Sequence, residues 1–122
     1  MAEERRRFSR VRFQSGCSVT FGERQFSGSL ADISLKGALL SFFERLPAGR
    51  GDSCKFEMSL GGTEIVLSLD ANVVFTTKER IGIRFGAVDL ESMIHLRRLM
   101  ELNTGDATKV QKELFYMMAS RR

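Results

Sequence analysis

At 122 residues the chain has the length of one domain, and 43% hydrophobic with 28% charged residues is the balance of a folded globular protein, which excludes a disordered chain. No apolar run approaches the roughly 18 residues of a membrane helix, and Met1 to Arg12 lacks the apolar centre of a signal peptide, so a cytoplasmic protein is expected. The net charge, 19 − 15 = +4, is concentrated at the start, where Arg5, Arg6, Arg7, Arg10 and Arg12 outnumber Glu3 and Glu4; a local anion site fits this better than a broad nucleic-acid face.

From Arg12 to Phe85 the apolar residues recur with period two, broken by turn residues, which predicts consecutive antiparallel strands. Val11, Phe13, Cys17, Val19 and Phe21 form the first, Gly22-Glu23 a turn, and Gln25 to Ile33 the second. Asp32 to Gly37 reads as a tight reversal into a short third strand, Ala38 to Phe42, before a loop with Pro47, Gly49 and Gly51. Cys54, Phe56, Met58 and Leu60 alternate with polar residues up to Gly61-Gly62, a hairpin signal. Ile65, Leu67, Leu69, Ala71, Val73 and Phe75 then line one face of a long strand, and Lys78-Glu79-Arg80 turns the chain into Ile81, Ile83 and Phe85. Six strands with one apolar face each can hide it by closing into a barrel, which is preferred over a sandwich.

After Phe85 the period becomes helical. Asp89 caps a helix in which Leu90, Met93, Ile94 and Met100 recur to about Asn103, and Thr104-Gly105 stops it. Asp106 caps a second helix through Val110, Leu114, Met117 and Met118. The expectation is one domain over 1–122: an arginine-rich arm at 1–11, a mainly β, six-stranded antiparallel barrel at 12–86, and C-terminal α-helices at 89–119.

Catalytic chemistry finds little support. The one histidine, His95, falls within the first helix, and Cys17, Cys54 and His95 lack the paired spacing of zinc ligands. No enzyme, metal or cofactor is expected, and the two cysteines read as reduced, buried thiols.

Two clusters remain: Arg5-Arg6-Arg7-Phe8-Ser9-Arg10 before the first strand, and Asp32-Ile33-Ser34-Leu35-Lys36-Gly37 at the second-to-third strand turn. Alone, each is ordinary: a solvated arginine tail, and a turn in which Asp and Ser bond backbone N–H groups while Gly supplies positive φ. Together, in this order and before six strands, they resemble the paired motifs of the bacterial PilZ family, RxxxR on Arg6 and Arg10 and D/N-x-S-x-x-G on Asp32, Ser34 and Gly37. The resemblance extends through Gly82-Ile83-Arg84-Phe85 into the helices. It implies a receptor for the second messenger cyclic di-GMP that changes conformation and signals to an effector protein.

The residue types suit that ligand. An arginine fork can bond guanine O6 and N7 or a phosphate, and its flat face can stack on a base. Arg6 and Arg10 are therefore the leading contacts, in an arm the resemblance describes as wrapping over the ligand. Asp32 can accept from guanine N–H groups or orient an arginine, Ser34 can donate to an oxygen, and Gly37 permits the turn. Arg5 just ahead of RxxxR resembles members that take a stacked pair of ligands. The rivals are a nucleic-acid-binding small barrel and a PilZ-like protein-interaction module without ligand. Against the first, the phenylalanines fall mostly on the buried phase and no exposed aromatic platform is expected; against the second, RxxxR is intact.

Overall fold

The computed structural model describes residues 11–43, 46–59 and 66–119. Within them run six strands, β1 (Val11–Phe21), β2 (Arg24–Ile33), β3 (Gly37–Ser41), β4 (Ser53–Ser59), β5 (Val66–Thr76) and β6 (Arg80–Phe85). In β4 the cause is plain: Cys54, Phe56 and Met58 are buried while Ser53, Lys55 and Ser59 are exposed. All pairings are antiparallel, in the order β1-β2-β3-β6-β5-β4, and the run from Cys17↔Met58 to Thr20↔Lys55 returns β4 to β1. The expected six-stranded barrel is therefore closed, and closure removes the free sheet edges. The hairpin expected at Gly61-Gly62 lies outside the described residues.

Inward side chains of all six strands make one core, in which Val19, Ile33, Leu40, Phe56 and Leu67 are fully buried. Phe56 stacks on Phe85 with ring centroids 5.8 Å apart, tying β4 to the end of β6 across the barrel interior. Phe56→Ala is expected to cost about 3–5 kcal/mol of unfolding free energy in a denaturant melt. A loss under about 1 kcal/mol would mean that the barrel relaxes into the gap.

The first helix, α1 (Leu90–Thr104), starts where Asp89 accepts the Ser92 N–H at 3.3 Å, a bond that holds the Asp89 carboxyl below its usual range. It ends at Gly105, whose φ of 70° is left-handed and whose N–H donates to the Glu101 carbonyl. The second, α2 (Ala107–Ala119), begins with Asp106 accepting the Lys109 N–H at 3.0 Å. Leu96, Leu99, Met100 and Val110 are buried where α1 meets β5, β1 and α2.

The helical spacing of Leu90 and Ile94 does not bring them into the core: they stand exposed with Leu102, because the buried face of α1 runs through Leu96, Leu99 and Met100. One assignment on the strands is corrected. Phe75 does not continue the inward face of β5, for it is 46% exposed. The register slips between Val73 and Phe75, so Val73 pairs with Ile83 and Phe75 with Gly82, and the extra residue turns the phenylalanine outward.

Candidate functional site

The β2–β3 turn is built by the serine of the second motif. A two-residue hairpin loop is closed most easily by turns that need positive φ, yet neither Leu35 nor Lys36 has it. The Ser34 hydroxyl closes the loop instead: its Oγ accepts from Lys36 N at 3.2 Å and Gly37 N at 3.3 Å and donates to the Gly37 carbonyl at 3.3 Å. Ser34 N donates to that same carbonyl at 2.8 Å. Ser34 is buried, as are Ile33 and Leu35 on either side, so the turn is anchored by apolar groups and its shape is fixed.

Gly37 is there for a different reason from the one the turn chemistry suggests. It does not have positive φ. A Cβ at this position would run into the Ile83 carbonyl oxygen and lie 3.2 Å from the Arg84 Cα. The glycine thus lets β3 approach β6, where Gly37 pairs with Arg84 and Phe85 N donates to the Lys36 carbonyl at 2.7 Å.

Arg5, Arg6 and Arg10 lie outside the described residues. The point from which they depart is described. At the start of β1, Val11 pairs with Ile33 and Arg12 with Asp32, before a register shift ahead of the Ser15↔Leu30 pair. One peptide bond separates Arg10 from Val11, which places its Cα about 3.8 Å from a residue paired beside Ser34. Arg6, five residues from Val11, can reach no farther than about 18 Å from it.

Asp32 is half-buried on the outer face and begins a row that crosses three further strands. Asp32 pairs with Leu39, Leu39 with Gly82, and Gly82 with Phe75. At strand spacing the row spans about 14 Å. A Cβ at Gly82 would strike the Phe75 ring, so the ring lies over bare backbone and offers its other face to solvent. Phe43 is fully exposed just past the Ser41 end of β3, the end remote from the Ser34–Gly37 turn. The expectation that no aromatic platform is exposed is thereby corrected. The period-two pattern hid Phe75 because one bulge residue reverses every face beyond it.

The next outward row is cationic. Lys36 and Arg84 flank Gly37, and burial first, then the Arg84 charge, push the Lys36 ammonium below its ordinary range. Burial raises both thiols, Cys17 and Cys54, to about 11, which makes them poor nucleophiles and metal ligands. Among the described residues no three His, Cys, Asp or Glu side chains cluster to hold a metal ion. The assembled groups offer hydrogen-bond acceptors at Asp32, a flat aromatic face at Phe75 and cations between strands, which is equipment for binding an anionic aromatic ligand.

Comparison with known proteins covers most of the chain. The sequence model of the PilZ domain matches residues 4–102. Among solved structures, the PilZ domain of YcgR from Escherichia coli with c-di-GMP aligns at TM-score 0.70 and 20% identity, covering 88% of this chain and 98% of that one. The PilZ domain of CeSA from a cellulose-synthesizing bacterium aligns at TM-score 0.62 and 19% identity, over 80% and 96%. The inhibitor of motility MotI/DgrA from Bacillus subtilis aligns at 0.65 and 17%, and there 80% of this chain spans 52% of the other. At these identities the structural matches establish the fold.

Proposed function

Because the chain belongs to the PilZ domain family, whose sequence model covers residues 4–102, we propose that it is a bacterial receptor for cyclic di-GMP that relays binding to an effector protein. The role proposed for this domain is binding, without catalysis. The observation that carries this reading is the pairing of Val11 with Ile33 and of Arg12 with Asp32. It tethers the arginine arm to the Asp32–Gly37 turn, so both motifs can meet one ligand without rearrangement of the barrel. Arg6 and Arg10 bond guanine edges and phosphates, with Arg5 beside them, and Asp32 accepts from guanine N–H groups.

Ser34 and Gly37 act through the turn, since the Ser34 hydroxyl already bonds three backbone groups and Gly37 sits against β6. The YcgR domain solved with c-di-GMP supports the ligand by likeness of fold, and the MotI likeness supports a protein partner. Engagement of the doubly charged ligand by the arginines would change the surface presented to that effector. Buried free thiols at Cys17 and Cys54 suit a cytoplasmic setting, and no described helix is long and apolar enough to cross a membrane.

Calorimetric titration with cyclic di-GMP, GMP and single-stranded RNA at two salt concentrations tests the proposal. Saturable binding of the cyclic dinucleotide over the other two supports it. Salt-steep binding of any single strand supports the nucleic-acid reading instead, which the exposed Phe43 and Phe75 favour. Binding of none of the three leaves the protein-interaction module.

Phe75 supplies a further check on the platform. Base–aromatic stacking contributes about 1–3 kcal/mol, so Phe75→Ala is expected to weaken cyclic di-GMP binding about 10-fold or more. Phe75→Tyr should retain most of it. An unchanged affinity in the alanine variant would place the ligand away from β5.

A further inference from the structure

Phe75 and Gly82 meet where the sheet departs from its regular pattern on both strands. Leu67, Leu69, Ala71 and Val73 of β5 are buried, and strict alternation would carry Phe75 into the core after them. The extra residue between Val73 and Phe75 turns the ring out of the core instead, at 46% exposure. Opposite it, β6 carries a glycine in mid-strand, whose ladder partners are Leu39 on one side and Phe75 on the other. A glycine inside a strand weakens the strand and marks a place where another group comes close to its backbone.

Here the group that comes close is the phenyl ring. A Cβ on Gly82 would collide with Phe75 Cε2 and stand 2.7 Å from Cδ2 and 2.8 Å from Cζ, and these ring atoms are its three nearest neighbours. Strand side chains ordinarily stand upright on the sheet, and an upright ring on β5 would pass beside the facing residue of β6, about 4.5–5.5 Å away, without covering it. The Phe75 ring therefore leans across onto β6, in the direction of Leu39 and Asp32 along the same row. A side chain at position 82 would lift it off the strand. A ring already seated loses little freedom when a base stacks on it, whereas a lifted ring has to be fixed by the ligand.

We propose that Gly82 is a positioning residue for the ligand: by keeping its outward side bare it seats the Phe75 ring across β6 as a preset stacking surface for a guanine base of the cyclic dinucleotide. Gly82 acts through Phe75 and needs no contact with the ligand. The assignment rests on the receptor reading above and deepens it, since the orientation of the stacking surface is set by a residue outside both motifs.

The test titrates the full chain with cyclic di-GMP in calorimetry as wild type, Gly82→Ala, Phe75→Ala and the double variant, and melts each without ligand. Gly82→Ala should bind about 3- to 10-fold more weakly, because the lifted ring must be ordered by the ligand. In the Phe75→Ala background the same substitution should cost nothing further, because no ring is left to displace. The melting temperature of Gly82→Ala should stay near that of the wild type, since what stands in the way is a half-exposed side chain that can swing into solvent. The chain has no tryptophan, so Phe75→Trp places a single indole on the platform. Saturating cyclic di-GMP should quench its fluorescence, and adding Gly82→Ala should weaken that quenching. Wild-type affinity in Gly82→Ala, or an equal loss from it in both backgrounds, would overturn the positioning role while leaving the receptor reading intact. A marked fall in the melting temperature of Gly82→Ala would make the seating of the ring a device of the fold and overturn it too. Failure of the wild type to bind cyclic di-GMP at all would remove the receptor reading, and this assignment with it.

Discussion

Arg10→Ala is expected to lower cyclic di-GMP affinity about 10- to 100-fold, while thermal unfolding of the protein without ligand stays within a degree or two. The magnitude follows from loss of a charge-assisted, two-pronged contact, about 1.5–3 kcal/mol. Its selectivity follows from position. Residue 10 is bonded to Val11, and Val11 pairs with Ile33 immediately before Ser34, so the side chain starts beside the turn whatever path the arm takes. Arg10→Lys should recover little, because a point charge cannot reproduce the planar fork. Equal losses of affinity and stability would show that the residue serves the fold.

Gly37→Ala should do the reverse and remove fold and binding together. A methyl group there meets the Ile83 carbonyl and the Arg84 Cα, which are backbone and cannot swing aside as a flexible side chain would. The strain falls on the Gly37↔Arg84 pair and on the bond from Phe85 N to the Lys36 carbonyl, which hold β3 against β6. A loss of about 3 kcal/mol or more is expected from overpacking of this kind, read as a clear drop in melting temperature. Asp32→Ala is the comparison from the same motif: it introduces no overlap with a neighbouring strand, so it should lower the melting temperature less than Gly37→Ala does. Should Gly37→Ala melt like the wild type yet fail to bind, the glycine would be a ligand contact and the account of the β3–β6 approach would be wrong.

These two residues separate members of one motif that look alike on paper. Asp32, Ser34 and Gly37 belong together in the sequence pattern, yet only Asp32 faces outward on the row that ends at Phe75. Ser34 substitutes its hydroxyl for the positive φ that Leu35 and Lys36 lack, and Gly37 makes room for a neighbouring strand. A motif therefore conveys that the turn matters. The contacts decide which of its atoms are left for a ligand.

The six strands, their antiparallel order along the chain and both helix starts could be read from residue patterns, because period-two burial and Asp caps are local effects that each segment carries in itself. The caps at Asp89 and Asp106 and the left-handed stop at Gly105 fall where their side chains or lack of one require. What depended on tertiary structure was every feature set by a partner strand. The bulge at Val74 that turns Phe75 to solvent exists only in the register of β5 against β6, and the seat of its ring over Gly82 arises across the ladder joining those strands. Similarly, Leu90 and Ile94 carry helical spacing, but which side of α1 is covered is decided by where the barrel wall and α2 lie. Periodicity states that a residue has a face; only the packed neighbours determine which face is wet.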